Sequence, residues 1–469
     1  MSSPATPPAA RPPRSRLALV VAGAAVGALA LCAGSFGLGY AVAPTGTTSA
    51  APAPTATGDA DRAVPATIPD ATDIRTCRVS DSAKADALDD FAGIVVDVSS
   101  GSTLFSRDGK TAAAPGGTQL LATAAAALDV LGTDYRMTTT VVAGSTDDSI
   151  VLVGGGDPTL SRLASGESVY PDAPTLADLA EQVQEARGAD AVPITSIILD
   201  DSYWDDSDAW DSSWSSSLRS SGYLSEVTAL QTDGDRSNPA NASSKRSDDP
   251  VMMAGLRFAK ALGVPDATLQ LGLADAGAEQ LASVQSQPVS SLVNTMLLTG
   301  DATLAETLGR VTSIVAGEDG SRASLQQVIV DALDDLGIDA SGQTFYDASG
   351  TSADNAVSPW IYASLLATVR SQQGVLDVVY NSLSVPGEEG TLSSRFDDDT
   401  SASAASAVRG LATAITGERT LAGLVETADG SRLAFAFTAT RSDVGKSADT
   451  ALDALVADVY SCGANLSNK

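Results

Sequence analysis

The spacing of apolar and polar positions divides the chain into three unlike stretches. Leu17 to Ala43 carries no charged residue, and Arg11, Arg14 and Arg16 flank it on the N-terminal side only. That is the pattern of a membrane span with the preceding residues, 1–16, as a cytoplasmic tail. An uncleaved anchor is expected, since a leader cut after Ala43 would leave Pro44 directly beyond the cut. From Pro44 to Asp73 the sequence is Ala, Pro, Thr and Gly with almost no large apolar residue, which predicts a tether and not a core.

Beyond the tether, strand and helix periods alternate. Phe91 to Phe105 reads as two strands joined by a Gly-containing turn. Pro115-Gly-Gly-Thr then interrupts the pattern. Apolar residues at Leu121, Ala124, Ala125, Leu128 and Leu131 follow at helical spacing, among strong helix formers, and predict a buried helix. Met137 to Val142 and Ser149 to Val153 are strand-like, residues 175 to 187 helical, Ile194 to Leu199 a strand, and Asp248 to Leu262 an amphipathic helix. Strands followed by helices from end to end place the chain in the α/β (α+β) class.

Composition narrows the chemistry. With 469 residues, 43% of them hydrophobic, the chain can build two or three domains. A formal charge of −30 argues against nucleic acid and anionic lipid as partners. The complete absence of His removes His-based triads, His metal sites and histidine pH switches together. The acidic run from Asp200 to Asp211 lacks the Gly and terminal Glu of a calcium loop, and Gly154-Gly-Gly is not followed by the Lys-Ser/Thr of a phosphate loop, so no metal or cofactor is implied. Of the three Cys, Cys32 falls in the apolar span. Cys77 and Cys462 lie near the two ends of the foldable region and are expected to pair outside the cell, the alternative being two separate buried thiols.

The helix opening, together with Ile150-Val-Leu-Val-Gly-Gly-Gly-Asp-Pro-Thr-Leu160, resembles the penicillin-binding D-alanyl-D-alanine carboxypeptidase/endopeptidase family of bacterial cell walls. In that family the helix starts with Ser-x-x-Lys, the Ser being the nucleophile and the Lys its base. Ungapped alignment puts Gly117 at the Ser and Leu120 at the Lys. The second motif, Ser-x-Asn, aligns with Gly300-Asp301-Ala302. The third, Lys-Thr-Gly, falls about ten residues before Leu421-Ala-Gly423 and Leu433-Ala-Phe-Ala-Phe437, and so on Leu411, Ala412 and Thr413. Tyr223 to Arg236 matches a strand pair of the family, while Asp347-Ala-Ser-Gly-Thr-Ser-Ala-Asp-Asn355 and Val385-Pro-Gly-Glu-Glu-Gly-Thr-Leu-Ser-Ser-Arg-Phe396 match two of its architectural signatures. The resemblance implies a penicillin-recognising, transpeptidase-like domain from residues 77–145 and 288–466, with a β-rich insert over 146–287.

The loss of motifs does not depend on the alignment. Lys occurs at 84, 110, 245, 260, 446 and 469, and none has a Ser three positions earlier; no Asn has a Ser two positions earlier, and no Lys begins Lys-Thr/Ser-Gly. Thr118 or Thr111 with Lys110 nearby, and the acids Asp397 to Asp399, remain as replacement chemistry. The acids lie in Ser- and Asp-rich sequence without the spacing that would fix them on one face. The expectation is therefore a catalytically degenerate family member that acts as a scaffold or binds cell-wall peptide or an envelope protein. The competing expectation is an active serine-type carboxypeptidase using unrecognised residues.

Overall fold

The computed structural model describes residues 75–88, 90–371, 374–441 and 444–468. The expected tail, anchor and tether lie outside the described residues. Among the described residues no helix is long and apolar enough to cross a membrane.

Along the chain, β1 (Cys77–Arg78), β2 (Asp90–Asp97) and β3 (Thr103–Arg107) precede α1 (Gln119–Val130), which a short 3-10 turn over Gly116–Thr118 introduces. There follow β4 (Thr138–Ala143), β5 (Ser149–Val153), α2 (Leu176–Arg187), β6 (Ser196–Asp200), α3 (Ser217–Ser221), α4 (Pro250–Leu262), β7 (Thr268–Leu271) and β8 (Gln280–Gln285). The C-terminal half holds α5 (Val289–Thr299), α6 (Ala302–Ala316), α7 (Leu325–Asp335), α8 (Pro359–Ser371), α9 (Asp377–Asn381), β9 (Val408–Ile415), β10 (Glu418–Glu426), β11 (Arg432–Thr440), α10 (Lys446–Cys462) and β12 (Leu466–Ser467).

The first sheet, in the order β3-β2-β11-β10-β9, is antiparallel and drawn from both ends of the chain. Period-2 alternation sends Ile94, Val96, Leu411, Ala422, Leu424, Ala434 and Ala436 to one face, where they join the core of α1, α5, α6, α7 and α8. Val95, Ala412, Leu421, Val425, Leu433, Phe435 and Phe437 go to the other and pack with Leu452, Leu455, Val456 and Val459 of α10. The sheet is thus buried on both faces, which explains the near-continuous apolar runs in β2 and β11. Cys77 and Cys462 are disulfide-bonded with Cα atoms 5.5 Å apart, beside the parallel pair β1–β12.

The second sheet, β7-β6-β5-β4-β8, is mixed. Its parallel pairs β5–β6 and β6–β7 are bridged by α2 and α4, whose Leu179, Val183, Ala254 and Phe258 cover Ile150, Leu152, Ile197 and Leu199. The insert is therefore a layered α/β unit, because parallel neighbours require crossover helices, and not simply β-rich. Strand β4, which a boundary at 145 leaves in the transpeptidase-like part, is hydrogen-bonded into this second sheet.

The strand pair expected over Tyr223 to Arg236 does not form. Asp233, Gly234 and Asp235 all have positive φ (56°, 55° and 58°), which bends the backbone out of the extended region. The two buried carboxylates stabilise the bend by accepting hydrogen bonds, Asp233 from the Ser161 hydroxyl at 2.6 Å and Asp235 from the Ser247 backbone N–H at 2.6 Å.

Candidate functional site

The first and third degenerate positions meet. The N–H of Gly117, in the turn that opens α1, donates to Thr413 Oγ1 at 3.0 Å, and that hydroxyl is 2.8 Å from the hydroxyl of Thr420 on the neighbouring strand. A Cβ built on Gly117 would stand 2.8 Å from both Cβ and Oγ1 of Thr413, inside any real contact distance. The methyl and hydroxyl of Thr413 therefore fill the volume that a side chain at 117 would need. Two substitutions that sequence alignment treats as separate losses are one packing arrangement.

The two aligned lysine positions are apolar core. Leu120 is fully buried and Leu411 1% exposed, in the same hydrophobic cluster as Ala302. An ammonium there would lose its hydration. Ala412 faces the opposite side of the sheet, toward α10. Gly300 caps α5 with φ 67°, a left-handed position that favours Gly, and Asp301 caps α6 by accepting from the Leu304 N–H at 3.0 Å.

Asp301 is also the centre of a buried polar cluster. Its Oδ2 accepts from Arg236 Nη2 and from the Tyr170 hydroxyl, each at 2.9 Å, and Arg236 Nη1 donates to the Tyr170 oxygen at 2.7 Å. Burial would raise the Asp301 pKa, but Arg236, Arg246 and the Leu304 N–H outweigh it and hold the carboxyl below its ordinary value. Burial raises the Tyr170 pKa, so this phenol stays protonated. Arg236, Arg246, Tyr223, Gly300, Asp301 and Ile415 border a cavity of about 470 Å³ between the end of β9 and the α5–α6 junction. Gly300 and Asp301 are on the wall of this cavity, while Gly117, Leu120, Ala302, Leu411 and Thr413 are buried and do not line it.

Acidic groups that the sequence reading missed lie behind the helix opening. Glu418 is 6% exposed, and burial, with Asp347 adding to it, pushes its pKa up to about 8. Its Oε1 has no hydrogen-bond partner, and a Cβ on Gly116, whose φ is 47°, would come within 2.9 Å of its Cδ. Strand alternation did carry a signal, since Glu418 shares the helix-facing side of β10 with Thr420, Ala422 and Leu424. Glu306, on α6, accepts from the Ser349 N–H at 2.8 Å, and burial beside Asp347 raises its pKa. Asp347 accepts from the N–H groups of Gly350 and Ser352, from Asn355 and from the Trp214 indole, so the signature beginning there builds a loop.

Of the replacement candidates, Thr118 is buried and Thr111 exposed. Lys110 is exposed, with its ammonium 5.9 Å from the centre of the Trp360 ring. Asp398 accepts from the Thr400 and Ser401 N–H groups at 2.9 and 3.0 Å, a turn-forming role. Arg395 of the second signature pairs with Asp453 at 2.8 Å and ties its loop to α10.

A helix opening against the edge strand of a five-stranded antiparallel sheet, with a helix junction opposite, defines the penicillin-recognising fold. The chain belongs to the D-Ala-D-Ala carboxypeptidase 3 (S13) family, whose model matches residues 76–245 and 230–459. It is 31% identical over 377 residues to carboxypeptidase Rv3627c of Mycobacterium tuberculosis, covering 79% of this chain and 80% of that protein. It is likewise 31% identical over 376 residues to carboxypeptidase DacB of Mycolicibacterium smegmatis, covering 79% and 80%. Among solved structures, penicillin binding protein 4 of Haemophilus influenzae shares the fold with a TM-score of 0.67 at 18% identity, over 81% of this chain and 99% of that one.

Proposed function

We propose that this protein is a catalytically inactive member of its family, held outside the cell by the apolar segment Leu17 to Ala43, and that it serves wall assembly as a scaffold or as a binder of peptidoglycan peptide. The observation that carries the reading is the interlock of Gly117 and Thr413. Acylation needs an oxygen at 117, a base to take its proton and cationic grip on the substrate carboxylate. Here the first has neither atom nor room, and the other two positions, Leu120 and Leu411, are hydrocarbon in the core. The cavity beside Arg236 and Asp301 supports retention of peptide without turnover.

The test is incubation of the full chain with a reactive β-lactam, followed by intact-mass measurement, in parallel with a D-alanine release assay on a pentapeptide stem. The expected result is no mass increase and no D-alanine. A stoichiometric adduct would establish the competing reading, an active carboxypeptidase, and its attachment point would identify the nucleophile. N-terminal sequencing of the membrane fraction tests the anchor; a mature start beyond residue 43 would show release.

A further inference from the structure

A second open cavity, of about 580 Å³, lies at the other end of the same sheet edge, where β9 begins and β10 ends. Val408 and Thr413 are five residues apart on one strand, so roughly 16 Å separates this cavity from the Gly117–Thr413 contact. Four side chains from four elements converge on it: Arg370 from the last turn of α8, Tyr380 from α9, Arg409 from β9 and Arg432 from the start of β11. The guanidinium carbons of Arg370 and Arg409 each stand 5.4 Å from the centre of the Tyr380 ring, so one aromatic side chain orients two cations.

The arginines of the described residues differ in what they are paired with. Arg162, Arg219, Arg236, Arg257, Arg310, Arg322, Arg395 and Arg419 each have a carboxylate within 4.0 Å. Arg107, Arg136, Arg187 and Arg246 have no carboxylate that close but donate to backbone carbonyls; among the described residues Arg370, Arg409 and Arg432 have neither partner, although Asp and Glu outnumber Lys and Arg by 58 to 28. Glu388 and Glu426 also border the cavity, exposed to solvent and beyond ion-pair distance of all three. The remaining wall is apolar, with Val385, Pro386, Leu424 and Leu433. Three guanidiniums border one cavity with only the exposed Glu388 and Glu426, the latter opposite Arg432 across the strand pair, as counter-charge; they repel one another, and a bound oxyanion relieves that repulsion. Guanidinium groups match the paired oxygens of phosphate and carboxylate alike, and the volume is that of a small-molecule site.

We propose that this cavity binds a small ligand with an oxyanionic head, phosphate or carboxylate, held by Arg370, Arg409 and Arg432, and an apolar body against Leu424 and Leu433. The site is independent of the degenerate cleft and of whether that cleft turns over substrate.

Phenyl phosphate and benzoate share an apolar ring and differ in the head, which makes them the probes. Each is titrated calorimetrically into the full chain in detergent, alongside R409Q, R432Q and, as a charge control on the insert, K260Q. Saturable binding of one or both probes is expected, with the tighter one naming the head group. R409Q and R432Q should each weaken it at least about tenfold, added salt should weaken it further, and K260Q should leave it unchanged. Arg432 is exposed, so R432Q keeps the test valid if R409Q fails to fold. Absence of binding of both probes at millimolar concentration would overturn the proposal, and so would binding that both arginine variants leave unchanged.

Discussion

At the scale of single residues, Gly117 and Thr413 form a matched pair, and the match makes a prediction that neither residue makes alone. Gly117→Ser adds a hydroxymethyl group where Thr413 already stands 2.8 Å from the new Cβ. It should cost about 1–3 kcal/mol in overpacking and remain unacylated by a β-lactam, with Leu120 beneath it and no base. Adding Thr413→Gly should recover part of that stability, giving a coupling of roughly 1 kcal/mol in a double-mutant cycle by urea denaturation. Additive costs would show that the two side chains do not compete for space. Glu418 supports a second residue-scale prediction. Its pKa rises from 4.5 to about 8 on folding. Between those values the folded chain keeps a proton that the unfolded chain has lost, so this group's effect on stability becomes less favourable as pH rises through that window. Glu418→Gln should therefore leave stability nearly unchanged near pH 4.5 and increase it by up to about 4 kcal/mol at pH 8. An equal shift at both pH values would place the effect elsewhere than in ionisation.

At the scale of elements, most of what positions the site could be read from local pattern. The expected buried helix appears as α1, the strand at Ser149 to Val153 has those bounds, and residues 175 to 187 and 248 to 262 contain α2 and α4. These segments have an unambiguous period and clear punctuation, such as Thr175 and Asp249, whose side chains accept from the N–H groups of Asp178 and Met252 as helix caps. Tyr223 to Arg236 departs from the expected strand pair because its shape is set by long-range partners, with Ser161 and Ser247 holding Asp233 and Asp235 in a bend. The α5–α6 junction likewise depends on a partner distant in sequence. Asp301 caps α6 and neutralises buried Arg236. Asp301→Ala should cost about 3–5 kcal/mol, since it removes the cap and leaves a buried guanidinium without its carboxylate. Asp301→Asn, which can still cap, should cost less. Equal denaturation midpoints for the two variants would show that the charge contributes nothing.

At the scale of the whole molecule, the sheet beside the cleft is assembled from β2 and β3 at one end of the chain and β9, β10 and β11 at the other. The Cys77–Cys462 disulfide, whose cysteines are 385 positions apart in the sequence, joins those ends directly. Loop-closure entropy bounds its contribution at about 6 kcal/mol, with smaller gains usual. Reduction should lower the thermal midpoint by several degrees without changing the family fold, as followed by circular dichroism with and without reductant. An unchanged midpoint would mean that β1–β12 pairing and the α10 core already fix the ends.

The sequence by itself determined which catalytic motifs are absent here. No fold can supply a serine, lysine or asparagine side chain that the chain does not encode at the required spacing, and the whole-chain search for Ser-x-x-Lys, Ser-x-Asn and Lys-Thr/Ser-Gly depends on no alignment. The family resemblance was equally legible, because its architectural signatures are contiguous runs. Only the tertiary structure decided what replaced the missing groups. Thr413 lies 296 residues from Gly117 yet fills its space, and Arg370, Tyr380, Arg409 and Arg432 share a cavity though they belong to four elements. Strand order and register set those distances, and the pattern of apolar and polar positions along one strand says which face a residue takes without saying what it meets there.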